Sequence, residues 1–395
     1  MNDIVNLPYG RQSIDQSDID AVVSVLKSDW LTQGPAVEQF EAALAEKIDA
    51  AHVVAVSNGT AALHIAAIAG GLGPGKRLWT SPNTFVASAN CGLYCGAEVD
   101  FVDIDARDGN MSVAALAQKL EAAKQSGRLP DVVVPVHFGG QSCDMEGIGA
   151  LKRQYGFRVI EDAAHAIGGH DRTGAKVGAC SESDMAAFSF HPVKIVTTAE
   201  GGAVSTNDPE LAQKLRLARS HGITRDADLI GDDLDGPWAY RQIDVGFNYR
   251  LTDIQAALGT SQLARLEKFV TRRNALARRY DSLLRDMPVR PLTIHDAALS
   301  AYHLYVVRVD QASAGLTRRE VFEALADRGI RCQVHYIPVH LQPVYRRFGF
   351  RPGDFPVVEA YYSEALTLPL YPSMTDTDQD RVVDALADIF SGAQS

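Results

Sequence analysis

Along the chain the spacing of apolar residues changes several times, and each change marks an element. Residues 1–35 predict an N-terminal arm with one helix, Asp15 to about Ser28, because Ile19, Val22, Val23 and Leu26 recur at helical spacing. The arm ends at the turn Trp30-Leu31-Thr32-Gln33-Gly34-Pro35. A helix is expected over Val37–Lys47, then a strand His52–Val56, then small polar residues running into an alanine-rich helix. From Arg77 short apolar runs alternate with amphipathic ones. Strands are predicted at Leu78–Thr80, Val99–Val102, Val132–Val136 and Arg158–Ile160, with helices from about Val86, near Val113–Ala123 and near Met145–Tyr155. Met185–Asn207 reads as two short strands around a lysine-bearing turn, and Pro209–Arg219 as a helix. Such alternation predicts an α/β fold with a mostly parallel sheet covered on both faces.

A polar, Asp-rich loop from Thr224 to Asp235 follows. Thr252 or Asp253 is then expected to cap one long helix reaching about Arg285 and crossing into a second domain. A strand at His303–Val309, a helix at Arg318–Arg328, a strand at Ile330–Tyr336 and a last helix from about Thr377 predict a smaller α+β domain. The expected division is an arm at 1–35, a large domain at 36–260 and a small domain at 261–395, in a chain too long for a single core. No internal repeat or low-complexity segment interrupts it.

The formal charge of −11, with both signs interspersed, argues against nucleic acid or an anionic membrane as the main partner. Asp3, Asp15, Asp18, Asp20 and Asp29 occupy a region where a secretory signal would be apolar, and no stretch approaches the roughly 20 apolar residues of a membrane span. Cys91, Cys95, Cys143, Cys180 and Cys332 are too scattered for a disulfide framework or a zinc cluster. A cytoplasmic, reduced protein without a metal centre is expected.

Ligands of such sheets gather at the carboxyl ends of strands, and several reactive residues fall there. Lys194 lies between His191-Pro192 and Gly201-Gly202, on a connection where a lysine is either solvated or, with a lowered pKa, able to form a Schiff base with an aldehyde cofactor. Ser57-Asn58-Gly59-Thr60 is either an ordinary N-cap or a strand-to-helix turn that aims amides at a phosphate. Gly70-Gly71-Leu72-Gly73-Pro74-Gly75 has the wrong spacing for a dinucleotide fingerprint and is read as a loop. Asp162, directly after a buried strand, is a helix cap or a functional acid, since an unpaired buried carboxylate is costly.

Leu31-Thr32-Gln33-Gly34, Ser57 to Leu63, Thr84-Phe85-Val86-Ala87, Glu161-Asp162-Ala163-Ala164-His165, Phe188-Ser189-Phe190-His191 to Lys194, Thr197-Thr198-Ala199-Glu200-Gly201-Gly202 and Gly246-Phe247-Asn248-Tyr249-Arg250 together resemble the DegT/StrS-type sugar-nucleotide aminotransferases. The blocks span nearly the whole chain in order. The resemblance implies the pyridoxal-phosphate fold of the aspartate-aminotransferase type, with pyridoxamine phosphate as the alternate cofactor form. It implies that Lys194 holds the cofactor and shuttles the proton, that Asp162 pairs with the pyridine nitrogen, and that Phe85 stacks on the ring. By the same likeness His165 approaches the phenolic oxygen, although glutamine is frequent there in the family. Thr60, Ala61 and Ser189 bind the phosphate, joined by Asn248 from the other subunit of a homodimer with shared sites.

L-Glutamate is the implied amino donor. The blocks Thr197 to Asn207, Arg219-Ser220-His221-Gly222 and Gln333-Val334-His335-Tyr336-Ile337-Pro338 most resemble enzymes that aminate C4 of a UDP-linked 4-keto-6-deoxy sugar, giving UDP-4-amino-4,6-dideoxy-N-acetyl-β-L-altrosamine for pseudaminic acid. Tyr9, Thr32, Gln33, His303, Tyr305, His335 and His340, at turns and strand ends, are either substrate contacts or structural, and Arg250 is a candidate for the diphosphate or the donor's carboxylate. Three alternatives stay open: an aminotransferase for another nucleotide keto-sugar, aminated at C3 or C4 and linked to GDP or dTDP; a pyridoxamine-dependent sugar dehydratase, against which Lys194 argues; and a non-enzymatic protein that kept the fold.

Overall fold

The computed structural model describes residues 6–230, 236 and 238–393; the start of the arm and residues 231–235 of the expected acidic loop lie outside the described residues. Seven strands make the central sheet: β1 (His52–Val56), β2 (Arg77–Thr80), β3 (Glu98–Phe101), β4 (Val132–Val134), β5 (Arg158–Asp162), β6 (Met185–Ser189) and β7 (Gly202–Thr206). Their spatial order is β1-β7-β6-β5-β4-β2-β3. Pairing is parallel from β6 through β5, β4 and β2 to β3, and β7 runs against both of its neighbours, β6 and β1.

Both faces of this sheet are buried, which explains the unbroken apolar runs. Along β1, Val54 and Val56 enter a core with Ala62, Ile65 and Leu215, whereas Val53 and Ala55 face Phe40, Leu44 and Phe188. The covering helices include α1 (Gln16–Leu26), α2 (Pro35–Ile48), α3 (Gly59–Ala69), α4 (Ala87–Tyr94), α5 (Val113–Gln125), α6 (Met145–Tyr155) and α7 (Pro209–Arg219). The fold is α/β, with five of the seven strands of the main sheet in parallel, as the sequence predicts. Among the described residues no helix is long and apolar enough to cross a membrane.

The expected long helix is two helices, Asp253–Leu263 and Leu266–Leu283, broken at Ala264-Arg265. At the break the Arg265 guanidinium pairs with Asp15 and Asp18 of the arm, and Asp18 also accepts from Ser261 Oγ and Gln262 Nε2 at 2.7 Å each. A tertiary ionic cluster thus interrupts a sequence with no local breaker. The choice of cap resolves in two directions. Thr252 caps its own helix with Gln255 in a capping box. Asp253 is turned away and accepts from the Gly34 and Ala36 N–H groups at 2.8 and 2.9 Å, closing the start of α2.

A two-residue ribbon, β8 (Ile223–Thr224) with β9 (Arg241–Gln242), precedes these helices, and beyond them β10 (Val289–Pro291), β11 (Tyr305–Val309) and β12 (Ala365–Leu368) form an antiparallel sheet. The expected strand over Ile330–Tyr336 does not form. Ile330 bridges Leu7 and Gln333 bridges Thr367, each alone, and the strip continues as irregular backbone. The arm is therefore stitched to this part of the molecule, with Leu7 N donating to Gly329 O and Arg331 N to Leu7 O at 2.8 Å each.

Candidate active site

A cleft of about 720 Å³ opens at the carboxyl ends of β5 and β6, roofed by Tyr9 of the arm and His335-Tyr336 of the C-terminal strip. Open α/β sheets place ligands at this edge because parallel strands all end there. Lys194, Asp162, Phe85, His165, Ser189, Thr60 and Ala61 all border it.

Lys194 stands on a loop fixed from below. Phe190 N donates to Gly201 O at 2.8 Å, Thr198 N and Thr197 Oγ1 donate to Phe190 O at 3.0 Å, and Ile195 and Val196 are buried. The side chain is left half-buried in the cleft wall. Burial lowers its amine to about 8, and the Asp162 charge works in the opposite sense. At pH 7 about a tenth of such an amine is neutral, against well under a thousandth of an ordinary lysine, and that neutral fraction is the nucleophile.

Asp162 ends β5 and is 6% exposed. Its Oδ2 accepts from Ser88 Oγ at 2.6 Å and its Oδ1 from the Ala164 N–H at 3.1 Å, so the carboxylate is held in one orientation. Ser88 is itself joined to Thr84 Oγ1 at 2.6 Å. Between those two hydroxyl residues Phe85 presents its ring, 59% exposed, to the cleft. An exposed phenyl lining a polar cleft is a ready stacking surface.

At the other end of the cleft Asn58 caps α3 by accepting from the Ala61 N–H at 2.8 Å, which leaves the Gly59 and Thr60 amides at the open end of the helix dipole. The approach of strand and loop here is tight. A Cβ on Gly59 would stand 2.8 Å from Ser189 Cβ, and one on Gly202 would stand 2.5 Å from Asn58 O. Free amides, the Ser189 hydroxyl and the dipole suit a phosphate. With an amine, a fixed carboxylate and an aromatic face alongside, the residues present fit pyridoxal phosphate.

His165 and His335 stand on the cleft wall, and a third imidazole, His303, packs behind His165. The His165 ring centroid lies 4.5 Å from that of His303, and His335 holds Thr367 Oγ1 through Nδ1 at 2.8 Å. Burial, and then the Lys194 charge, push His165 and His303 well below the ordinary histidine range and His335 down to about 3. All three are neutral at physiological pH.

The remaining expected contacts lie elsewhere in the protomer. His303 stands behind His165, buried, with Nδ1 unpartnered among the described residues. Tyr305 is in the C-terminal core, stacked on Tyr280, with its hydroxyl donating to Asp281 at 2.7 Å. His340 is fully buried against Phe355 and hydrogen-bonds Glu359 at 3.0 Å. Thr32 and Gln33 are exposed beside the start of α2. Asn248 is also exposed, on the run that bridges Ser220 at Asn248 and Val56 at Arg250. Tyr94, His191, Glu200, Tyr249 and Tyr336 line the cleft without having been singled out from sequence.

Residues 12–387 match the DegT/DnrJ/EryC1/StrS aminotransferase family. The chain is 43% identical over 391 residues, 98% of each protein, to the spore coat polysaccharide biosynthesis protein SpsC of Bacillus subtilis. Among solved structures it is similar to Helicobacter pylori PseC, an aminotransferase involved in the biosynthesis of pseudoaminic acid, with TM-score 0.89 and 30% identity over 98% of this chain and all of that one. The sugar aminotransferase Spr1654 of Streptococcus pneumoniae, described as putative and solved in pyridoxamine- and pyridoxal-phosphate forms, matches at 28% identity over 98% of this chain, with TM-scores of 0.88 and 0.87 and 100% and 99% of those chains covered. The residues lining this cleft fit the pyridoxal phosphate that serves this class of enzyme, and the chain belongs to the DegT/DnrJ/EryC1/StrS aminotransferase family, whose members act on sugars.

Proposed function

We propose that the protein moves an amino group from L-glutamate to C4 of a UDP-linked 4-keto-6-deoxy-N-acetyl-hexosamine, giving UDP-4-amino-4,6-dideoxy-N-acetyl-β-L-altrosamine. The observation that carries the transfer chemistry is Lys194 and Asp162 in one cleft, the amine lowered to about 8 and the carboxylate fixed by Ser88 and Ala164. The likeness to PseC supports the choice of sugar. Bound pyridoxal phosphate supplies an electron sink for the carbon that gains or loses nitrogen. Lys194 anchors it and, once displaced by the donor's amine, moves the proton at that carbon. Asp162 keeps the proton on the ring nitrogen, Phe85 stacks on the ring, and Thr60, Ala61 and Ser189 hold the phosphate. Tyr9 and His335 face the sugar.

The cleft's described lining has one lysine and no arginine, although its substrates carry a diphosphate or two carboxylates. A second copy of the chain is the proposed source of the missing contacts, through Asn248 and Arg250. Trp238 at 73% exposure and Val245 at 77%, with Tyr240 and Ile243 also exposed, leave the segment leading to Asn248 apolar enough to be covered by such a copy. A cytoplasmic homodimer with shared sites follows from this reading.

The 43% identity to SpsC favours a second reading, amination of a different nucleotide keto-sugar for another glycan. Incubation with glutamate and a panel of 3-keto and 4-keto sugar nucleotides, with products read by NMR, decides between them. Exclusive amination at C3, or of GDP- or dTDP-linked sugars alone, overturns the first reading. A dehydrated product with no amine overturns both.

A further inference from the structure

Tyr249 takes hold of the chain on both sides of the turn that suits a phosphate. Its carbonyl oxygen accepts from the Ser57 N–H at 2.8 Å, just before that turn. Its hydroxyl lies 3.2 Å from Nδ1 of His64, inside α3. Asn58, Gly59, Thr60 and Ala61 fall between the two holds. His64 stands one helical turn after Thr60, and residues four apart share a face of a helix, so holding His64 fixes the rotation at which α3 presents Thr60.

Neither partner is free to adjust. Tyr249 N donates to Arg219 O at 3.0 Å, and its ring is stacked on Phe247 at 5.0 Å and 12°. His64 is 7% exposed, wedged against Phe247 at 4.8 Å and Tyr94 at 5.3 Å between ring centroids. Burial pushes its imidazole below the ordinary range and raises the Tyr249 hydroxyl, so both groups are uncharged at neutral pH and the contact is a neutral hydrogen bond. We propose that Tyr249 and His64 are positioning residues for the cofactor's phosphate, setting the Gly59 and Thr60 amides by gripping the chain before and after them. The inference rests on the pyridoxal-phosphate reading of the cleft.

Such a role should show as selectivity for the phosphate. Pyridoxal has the same ring and aldehyde without the phosphate, so a displaced turn weakens pyridoxal phosphate alone, whereas a general loss of structure weakens both. Equilibrium titration of the cofactor-free protein with each aldehyde, read by the lysine-bound absorbance band, tests this without reference to turnover. Tyr249→Phe keeps the stack and the backbone hold on Ser57, and should bind pyridoxal phosphate roughly fivefold more weakly, the worth of one neutral hydrogen bond, with pyridoxal unchanged. His64→Ala should behave likewise, and His64→Asn, whose side-chain amide reaches the place of Nδ1, should stay close to wild type. A loss in Tyr249→Phe with none in His64→Ala would make the phenol itself a phosphate contact and overturn the proposal. Equal weakening toward both aldehydes, or toward neither, would overturn it too. Wild type without a lysine-bound band from either aldehyde would instead defeat the cofactor reading itself.

Discussion

Ser88 Oγ donates to Asp162 Oδ2 at 2.6 Å, and because that uses its one proton, the 2.6 Å contact with Thr84 must be donated by Thr84. A directed pair of hydroxyls therefore holds the carboxylate from the same turn that carries Phe85. Loss of a hydrogen bond to a charged group costs about 1.5–3 kcal/mol, so Ser88→Ala should lower kcat by roughly tenfold or more with the cofactor still bound. Asp162→Asn should lower it by several orders of magnitude, since an amide cannot hold the pyridinium proton. Adding Ser88→Ala to Asp162→Asn should then change little. Steady-state kinetics of the four proteins form the cycle, and additive losses would place the serine's effect elsewhere.

Lys194→Ala should keep its fold by circular dichroism while losing the borohydride-reducible band and all transamination. A reducible band carried by another lysine would remove Lys194 from its proposed role.

The amine of Lys194 gives a pH prediction for the cofactor-free protein. Its folded value, about 8, is below the ordinary lysine value because burial disfavours the ammonium. The neutral amine is the reactive form, so the rate of covalent cofactor capture should rise with pH around 8 and level off above about 9. Asp162 raises this value, so Asp162→Asn should move the midpoint down. Stopped-flow absorbance measures both, and a wild-type profile still climbing at pH 10 would mean a solvated lysine.

Subunit mixing tests the proposed sharing of the site between two copies. Lys194→Ala and Asn248→Ala proteins, each inactive or nearly so, should regain activity after exchange, because a mixed dimer holds one cleft with both native residues. No recovery despite verified exchange would show that Asn248 acts within its own protomer or not at all.

Asp253 is 1% exposed and closes the start of a helix more than two hundred residues earlier in sequence. Asp253→Ala leaves two backbone donors of α2 unsatisfied and should cost about 1–3 kcal/mol in urea unfolding. Thr252→Ala removes only a local cap and should cost about 1 kcal/mol. Equal costs would mean that the contact with α2 contributes nothing.

The large sheet was legible because its strands are short, apolar on both faces and separated by amphipathic helices, which leaves periodicity little to confuse. What escaped was decided by distant partners. Nothing near Arg265 breaks a helix; Asp15 and Asp18 do so from the arm. The run Ile330–Tyr336 has the composition of a strand, yet single bridges to Leu7 and Thr367 are all it finds. The short strands β10 and β12 were missed because a three- or four-residue run carries too little pattern.

The site divides along the same line. Asp162 and Ser189 end strands, and Lys194, Phe85 and His165 lie on the connections just beyond strand ends, so topology alone brings them together. Tyr305 and His340 sit in similar sequence surroundings but point into cores, a distinction that depends on which face packs. Tyr336 was not named as a contact beside its neighbour His335, and its place in the cleft depends on how the C-terminal strip folds over the sheet edge, which no local pattern reveals. Ser88 could have been found one helical turn from Thr84.

The sheet order also sets a timetable for synthesis. Within the sheet β1 pairs with β7, His52 opposite Thr206, across more than 150 residues, whereas the strands between them can begin to pair as they emerge. At ribosomal speeds of roughly 5–20 residues per second, β1 waits on the order of ten seconds for its partner. During that interval Val53 to Val56 form an apolar strand with an open edge, the kind of segment that chaperones shield and that aggregates when they do not. The antiparallel strand after the Lys194 loop is therefore the piece that closes the sheet last, so the loop bearing the reactive amine is fixed in place by the event that ends the hazard.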